Sequence, residues 1–188
     1  MNYPSTVSTK LIMKAIDHYQ DLGYELIDVP QCVDFDVSQH TKPEGVPELF
    51  HRGMKVYVAS AEQSFIQMYK DGLIEEGMYC ALTPCYRHES TLDNTHYSMF
   101  LKLELIVIGS SCSFDVSNDA SSFLSRLDVS VGHDVVPTDE AVDSYDLVSK
   151  TGIELGSYGV RHMLDGTVYT YGTGIAEPRL SYVKDNQL

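Results

Sequence analysis

The stretch TPCYRHESTLDNTHYSMFLKLELIVI, residues 83–108, contains the strongest strand pattern in the chain. After Phe100, two rows of residues alternate: Leu101, Leu103, Leu105 and Val107 against Lys102, Glu104, Ile106 and Ile108. A period of two is typical of a β-strand, because successive side chains point to opposite faces of a sheet. A second strand is predicted over 78–82, with a turn at Thr83 and Pro84, and the polar residues 90–94 predict a further turn.

Amphipathic helices and short β-like segments surround this strand. The spacing of apolar residues predicts helices over 8–22, 61–71, 117–127 and 176–184. Further strands are predicted over 24–29, 55–60, 145–149, 152–155, 160–163 and 167–171, with mostly loop over 31–53. Because the strands follow one another without regular crossover helices, we predict an α+β fold in which helices flank an antiparallel β-sheet.

Length and composition are typical of one soluble domain. The chain has 188 residues, 43% hydrophobic and 21% charged, and we interpret residues 1–188 as a single domain with an acidic, irregular segment at about 111–144. No apolar run reaches the roughly 18 residues of a membrane span, and no signal peptide is visible. The four cysteines form no CxxC pair, which favours free thiols and a cytoplasmic location.

The charge balance restricts the partners of the chain. Acidic residues number 27 and basic residues 13, so the formal net charge is −14. Because nucleic-acid affinity comes largely from Lys and Arg neutralising phosphates, extensive tRNA binding is not expected. A small basic pocket for a nucleotide remains compatible with this charge.

The first candidate site combines Arg87, Glu89 and Phe100. We predict that Arg87 and Glu89 lie two apart on a strand and that the chain reversal brings Phe100 beside them. Arginine binds phosphate, an aromatic plane stacks on a base, and a carboxylate accepts from an exocyclic amine. The alternative is a surface ion pair beside a core phenylalanine.

The second candidate site is a glycine-rich segment, Gly172-Thr173-Gly174, ahead of the last predicted helix. Glycines allow the backbone to approach a ligand, and a helix N-terminus favours anionic groups. Pro178 suits a first helical turn, and Arg179 would face the same cavity. The alternative is a tight connection between strand and helix.

Two further clusters carry carboxylates. Glu154, at a strand end beside small residues, provides an oxygen ligand suited to Mg²⁺, and its alternative is an exposed edge residue. Ser60, Glu62 and Gln63 stand where a strand meets a helix. Ser60 is also a natural N-cap and Glu62 suits the first turn, so a structural role is about as well supported as a ligand role.

The order and spacing of these clusters resemble the catalytic core of class II aminoacyl-tRNA synthetases. Residues 21–30, 83–104 and 172–179 look like the three motifs of that family, and the resemblance covers about residues 10–183. The seryl-type branch is the most similar, because it shares a Thr-Pro-Cys-aromatic-Arg-x-Glu stretch, a Phe-x-Lys-x-Glu strand and a Gly-Thr-Gly turn. Ser60-Ala61-Glu62 stands where that branch has a Thr-x-Glu contact with the amino acid.

The resemblance implies an ATP site. Arg87 would hold the α-phosphate and the substrate carboxylate, and Glu89 would contact the adenine amine. Phe100 would stack on the base, and Arg179 would lie near the base and the γ-phosphate. His96 would reach the outer phosphates, with an exposed loop histidine as the equal alternative. The glycine-rich segment with Gly172 and Gly174 would complete the site.

The same resemblance implies the remaining ligands. Glu154 and Ser157 would hold Mg²⁺, and Ser60, Glu62 and Gln63 would bind the amino acid, with Glu62 near its amino group or side chain. Residues 8–30 would form a homodimer interface.

The implied function is ATP-dependent adenylation of an amino acid or a similar small carboxylic acid. The chain ends about nine residues after Arg179, so we expect neither an anticodon-binding domain nor a coiled-coil arm, and the acceptor would be a carrier or another protein instead of tRNA. The alternatives are a catalytically inactive paralogue that senses a ligand or binds a regulatory partner, and an accidental motif match.

Overall fold

The fold is built from five helices and nine strands over the residues described by the computed structural model, 6–43, 45–89, 91–109, 113–135 and 142–186. The helices are α1 Thr9–Asp21, α2 Phe35–Thr41, α3 Ala61–Lys70, α4 Ser113–Arg126 and α5 Arg179–Asp185. The strands are β1 Glu25–Leu26, β2 Cys32–Asp34, β3 Lys55–Tyr57, β4 Gly77–Tyr86, β5 Met99–Ile108, β6 Val131–Val135, β7 Val142–Ser149, β8 Glu154–His162 and β9 Val168–Glu177. None of these helices is long and apolar enough to cross a membrane.

Seven of the described strands form one sheet in the order β1-β4-β5-β9-β8-β7-β6. The β1–β4 pair is parallel and the other neighbours in this sheet are antiparallel. Strands β2 and β3 form a separate antiparallel pair. The predicted α+β fold with an antiparallel sheet is therefore confirmed.

Helices cover both faces of the central sheet. Apolar residues of α1, α4 and α5 pack with Leu103 and Leu105 on one face, and α3 packs with Ile106 and Ile108 on the other. Both residue rows of β5 are therefore buried, including the polar side chains of Lys102 and Glu104. The alternation that predicted this strand does not separate a core row from a solvent row.

The predicted starts of two helices are confirmed by their caps. The Ser8 hydroxyl accepts a hydrogen bond from the Leu11 N–H at 3.3 Å, and the Ser60 hydroxyl accepts one from the Glu62 N–H at 3.3 Å. Gly23 follows α1 with φ of +97°, the left-handed conformation that glycine adopts without a steric penalty.

The predicted turn at Thr83 and Pro84 is wrong, because β4 continues to Tyr86. Its last residues pair with β5, with Cys85 opposite Phe100. On its other side β4 pairs with β1 only at Tyr79 and Cys80, and the Tyr86 N–H donates to the Val58 carbonyl at 2.9 Å, so Pro84 lies on an edge between these contacts where no strand pairs with it. Proline is tolerated at such an edge because its missing N–H removes no ladder hydrogen bond.

Other boundaries were also wrong, mostly where pairing extends an element. The predicted strands 152–155 and 160–163 form the single strand β8, β6 lies in the segment predicted as irregular, and α2 lies in the predicted loop. By contrast, the predicted strands 24–29 and 55–60 shrink to β1 and β3. The last helix begins at Arg179 instead of near 176, since β9 continues to Glu177.

Glu177 is a fully buried carboxylate at the end of β9. Its Oε1 accepts a hydrogen bond from the Ser181 hydroxyl at 3.0 Å, whereas Oε2 has no hydrogen-bond partner among the described residues. Burial raises the pKa of Glu177, and hydrogen bonds from Ser181 and the Ser8 backbone oppose this rise. A buried acceptor without a partner costs about 1–3 kcal/mol.

Replacing Glu177 with glutamine removes the charge whose burial raises this pKa, so it should stabilise the fold near neutral pH by about 1 kcal/mol. A carboxyl whose pKa is higher in the folded chain than in the unfolded chain contributes to stability at pH values below its unfolded pKa. This contribution is lost as the pH rises through the pKa of the folded chain. The gain from Glu177→Gln should thus be larger at about pH 7 than at about pH 4. Urea unfolding at both pH values measures it, and a gain that is independent of pH would contradict the argument.

Candidate functional site

A cavity of about 390 Å³ opens beside the N-terminus of α3. Six of the predicted site residues line it: Ser60, Glu62, Gln63, Arg87, Glu89 and Ser157. Lys102, Glu104, Arg161 and Tyr171 line it as well, together with residues of the segment 41–49. Strands β5, β8 and β9 and the start of α3 therefore bring separate parts of the sequence to one cavity.

Arg87 lines this cavity and meets Phe100, which lies outside its lining. Strand pairing places Cys85 opposite Phe100, and the Arg87 N–H donates to the Ser98 carbonyl at 3.0 Å. The Arg87 guanidinium carbon lies 5.0 Å from the centroid of the Phe100 ring, within cation–π range. The predicted juxtaposition is present, although Arg87 and Glu89 follow β4 and were wrongly predicted to lie on a strand.

Two buried ion pairs form the inner wall of the cavity. The Arg161 Nη1 donates to both Glu62 oxygens at 2.9 Å, and the Tyr169 hydroxyl donates to Glu62 Oε1 at 2.8 Å. Lys102 Nζ lies 2.7 Å from Glu104 Oε2, which also accepts from the Ser60 hydroxyl at 2.6 Å. Every charged group of the inner wall thus has a partner of opposite charge.

Burial and pairing act in opposite directions on these groups. Burial raises the pKa of Glu104, whereas Lys102 and Ser60 lower it. Burial alone would lower the pKa of Arg161, but the Glu62 carboxylate raises it above its ordinary value. Burial raises the pKa of Tyr171 to about 12, although Arg161 opposes the rise. Arg161 also lies 4.4 Å from the centroid of the Tyr171 ring.

Lys102, Glu104 and Arg161 were not predicted as site residues. The Phe-x-Lys-x-Glu stretch contained a signal for the first two, because their spacing of two places both on one face of β5. Arg161 has no local signal, since its partner Glu62 lies 99 positions earlier in the chain.

Gln63 has a structural role in addition to lining the cavity. Its Oε1 accepts from the Ala59 N–H at 2.8 Å, and its Nε2 donates to the Ser38 carbonyl and hydroxyl, both at 3.2 Å. These bonds tie the start of α3 to α2. Binding of an amino acid by Gln63 remains a prediction.

Arg179, Glu154 and the loop before β5 form a second cluster, outside the lining of the cavity. Arg179 Nε donates to the Thr95 carbonyl at 3.1 Å, and its Nη1 lies 3.3 Å from Glu154 Oε1. The exposed ring of His96 lies next in the chain, with Nδ1 3.0 Å from Asp93 Oδ1. Three residues that were predicted to bind ATP or the metal therefore lie near the loop before β5.

A bulge in β8 places Glu154 and Ser157 on the same face. Val148 pairs with Glu154, but Leu147 pairs with Gly156 and Asp146 with Ser157. One extra residue of β8 therefore lies between Glu154 and Ser157. Although they are three positions apart in sequence, they lie on the same face, as residues two apart do in a regular strand. Glu154 is half exposed. No group of three or more His, Cys, Asp or Glu residues suited to a metal occurs among the described residues.

Three solved structures share this architecture. Seryl-tRNA synthetase from Pyrococcus horikoshii complexed with ATP matches 93% of the chain with a TM-score of 0.75 and 18% sequence identity. Cytoplasmic serine-tRNA ligase from Naegleria fowleri in complex with AMP matches 92% with a TM-score of 0.73 and 16% identity. PylSc, a pyrrolysyl-tRNA synthetase from Desulfitobacterium hafniense, matches 94% with a TM-score of 0.75 and 16% identity.

This is the fold of a class II aminoacyl-tRNA synthetase catalytic domain. The resemblance inferred from the motifs is thus confirmed at the level of fold. The chain spans 49% and 48% of the two seryl-type chains and 68% of the pyrrolysyl-tRNA synthetase chain. No protein-family model matches the chain, and a search of curated proteins gave no significant match.

Within the class II fold, Gly172 and Gly174 lie inside β9, so the predicted glycine-rich turn is wrong. A Cβ at Gly172 would come within 2.6 Å of Tyr158 and Val116, and one at Gly174 within 2.8 Å of Tyr19. The Tyr19 hydroxyl also donates to the Gly174 carbonyl at 2.9 Å. Close packing of helices on the sheet explains both glycines, and their role in ATP binding stays a prediction.

Proposed function

We propose that this domain binds ATP with Mg²⁺ and adenylates a small amino acid. The observation that carries the proposal is the position of Arg87, which lies on the Phe100 ring and lines a cavity that extends to Ser60 and Glu104. A cation between an aromatic face and a polar inner compartment suits a nucleotide joined to a small acid. The cavity volume, about 390 Å³, lies in the range of small-molecule sites.

The proposed reaction needs no side-chain nucleophile. The carboxylate of the amino acid attacks the α-phosphorus of ATP, and pyrophosphate leaves. Arg87 would hold the α-phosphate and the substrate carboxylate, and Arg179 would stabilise charge on the γ-phosphate. Positioning and electrostatics carry most of such chemistry. Glu89 would accept from the adenine amine, and His96 would reach the outer phosphates.

ATP binding would exchange contacts that the protein now makes with itself. Arg87 covers the Phe100 ring, so base stacking requires the guanidinium to move from the ring toward the phosphates. Arg179 would leave the Thr95 carbonyl and Glu154 for phosphate oxygens. Gly172 and Gly174 would contribute backbone atoms of β9 to the same site.

Mg²⁺ fits the oxygens of Glu154 and Ser157. The bulge brings the two positions to one face of β8. One carboxylate completed by water and phosphate oxygens is a usual Mg²⁺ site. The bound ion would neutralise charge on the phosphates. Ser60, Glu62 and Gln63 would form the amino-acid end of the cavity.

Pyrophosphate exchange tests the proposal. Labelled pyrophosphate should enter ATP only when a particular amino acid is present, in an assay across the standard set with Mg²⁺. Calorimetry with ATP alone gives an independent measure of binding. No exchange with any acid, together with no binding of ATP, would exclude the proposed function.

The other candidate is a catalytically inactive paralogue that senses a ligand or binds a regulatory partner. It is favoured by the contacts of Arg87 and Arg179, which both already have partners within the protein. Binding of ATP or an amino acid without exchange would support it. If adenylation occurs, the small number of basic residues favours a carrier or another protein as the acceptor over extensive contact with tRNA.

We also propose that residues 8–30 form a homodimer interface. Strand β1 is an edge strand of the described sheet, and Met13, Leu22 and Leu26 are large apolar side chains exposed by 52%, 41% and 40%. Exposed apolar groups beside a free strand edge favour association. Leu26→Glu should convert a dimer to a monomer in multi-angle light scattering. A monomeric wild type would exclude the interface.

A further inference from the structure

Protein donors occupy most of the acceptor sites of the Glu62 carboxylate at the inner end of the cavity. It accepts two hydrogen bonds from Arg161 Nη1 and one from the Tyr169 hydroxyl, all within 2.9 Å. Glu62 is only 5% exposed. A buried carboxylate in this arrangement holds its charge against a fixed cation and has little capacity left for a cationic ligand.

The four charges of the inner wall sum to zero. Glu62 is paired with Arg161, and Glu104 is paired with Lys102 at 2.7 Å. Each acid therefore has its own base. A charged side chain of a bound amino acid at this wall would leave water and find both opposite charges there already paired, which carries a large desolvation penalty. A neutral side chain avoids this penalty.

We propose that Arg161 is a specificity-determining residue that neutralises Glu62 and thereby restricts the cavity to amino acids with uncharged side chains. The inference rests on the proposed adenylation function. Arg161 acts through Glu62, so it positions charge and does not itself react. Its guanidinium is held on the Tyr171 ring at 4.4 Å, which keeps the cation beside Glu62.

Replacing one or the other residue of the Glu62–Arg161 pair should shift the amino-acid preference in opposite directions. Arg161→Met removes the cation and leaves the Glu62 charge free to bind a cationic side chain such as that of lysine. Glu62→Gln leaves Arg161 free to bind an anionic side chain such as that of aspartate. The double variant Glu62→Gln/Arg161→Met is neutral again and should favour neither.

The experiment compares wild type, both single variants and the double variant in pyrophosphate exchange. Lysine, aspartate and the neutral amino acid that the wild type accepts best are the probes, and thermal melts check folding. We expect the ratio of lysine to neutral exchange to rise about 10- to 100-fold in Arg161→Met, and the ratio for aspartate to rise similarly in Glu62→Gln. Calorimetry of lysine and aspartate binding measures the same change in preference without catalysis.

The outcomes separate the inference from the proposed function. No exchange by the wild type excludes adenylation, and calorimetry then still decides the role of Arg161. Active single variants with an unchanged preference would overturn the inference alone. Failure of both single variants to fold, when the double variant folds, would show that the pair serves stability only and would also overturn it.

Discussion

Replacing Arg87 with alanine should reduce amino-acid-dependent pyrophosphate exchange by at least about 100-fold, the usual loss when a charge-stabilising donor is removed. Arg87 is the proposed ligand of the α-phosphate and of the attacking carboxylate. It is half-buried at the cavity, where a charge is screened less than in open water. Stability should change little, because the lost contact with Phe100 is worth about 0.5–1 kcal/mol.

Two control variants sharpen this result. Arg126→Ala removes an exposed arginine at the end of α4 and should leave exchange unchanged. Arg87→Lys keeps the charge but loses the planar fork, so it should recover only part of the activity. Exchange of wild-type magnitude in folded Arg87→Ala protein would show that the assigned phosphate role is wrong.

Replacing Gly172 with alanine should destabilise the fold by about 1–3 kcal/mol, the usual cost of overpacking a core. The added Cβ would lie 2.6 Å from both Tyr158 and Val116, closer than carbon atoms can approach. Both neighbours are fully buried or nearly so and cannot move away freely. Urea unfolding followed by circular dichroism measures the loss.

Gly132 provides the matched control for this substitution. It lies in β6 of the same sheet, and its Cβ would meet Val148 at 3.5 Å, an ordinary contact. Gly132→Ala should therefore change stability by less than about 0.5 kcal/mol. If Gly172→Ala were as stable as wild type but bound ATP more weakly, a ligand role would explain this glycine better than packing.

Local patterns were sufficient for several parts of the fold. The alternation over 100–108 predicted β5, and Ser8 and Ser60 predicted the starts of α1 and α3. These features were predictable because side-chain period and capping depend on neighbours in the chain. The class II resemblance followed from the order of the clusters and is confirmed by the fold.

The errors occurred where distant strands determine the local conformation. Two glycines favoured a turn over 172–174, but β8 pairs with Gly172 and β5 pairs on both sides of a bulge at Gly174, so β9 continues through them. Pro84 favoured a turn, but β5 on one side keeps it in β4. Backbone pairing and close packing outweigh a local preference, because each residue of a central strand bonds to two neighbours.

The sequence alone determined the central strand, the capped helices and the kinds of side chain available to the site, because these depend on residues near one another in the chain. Only the tertiary structure decided which charges meet. It paired Glu62 with Arg161 and Glu104 with Lys102 and left Arg87 on Phe100. A buried charge requires a partner, and the partner of Glu62 comes from β8, which only the folding of the sheet brings to α3.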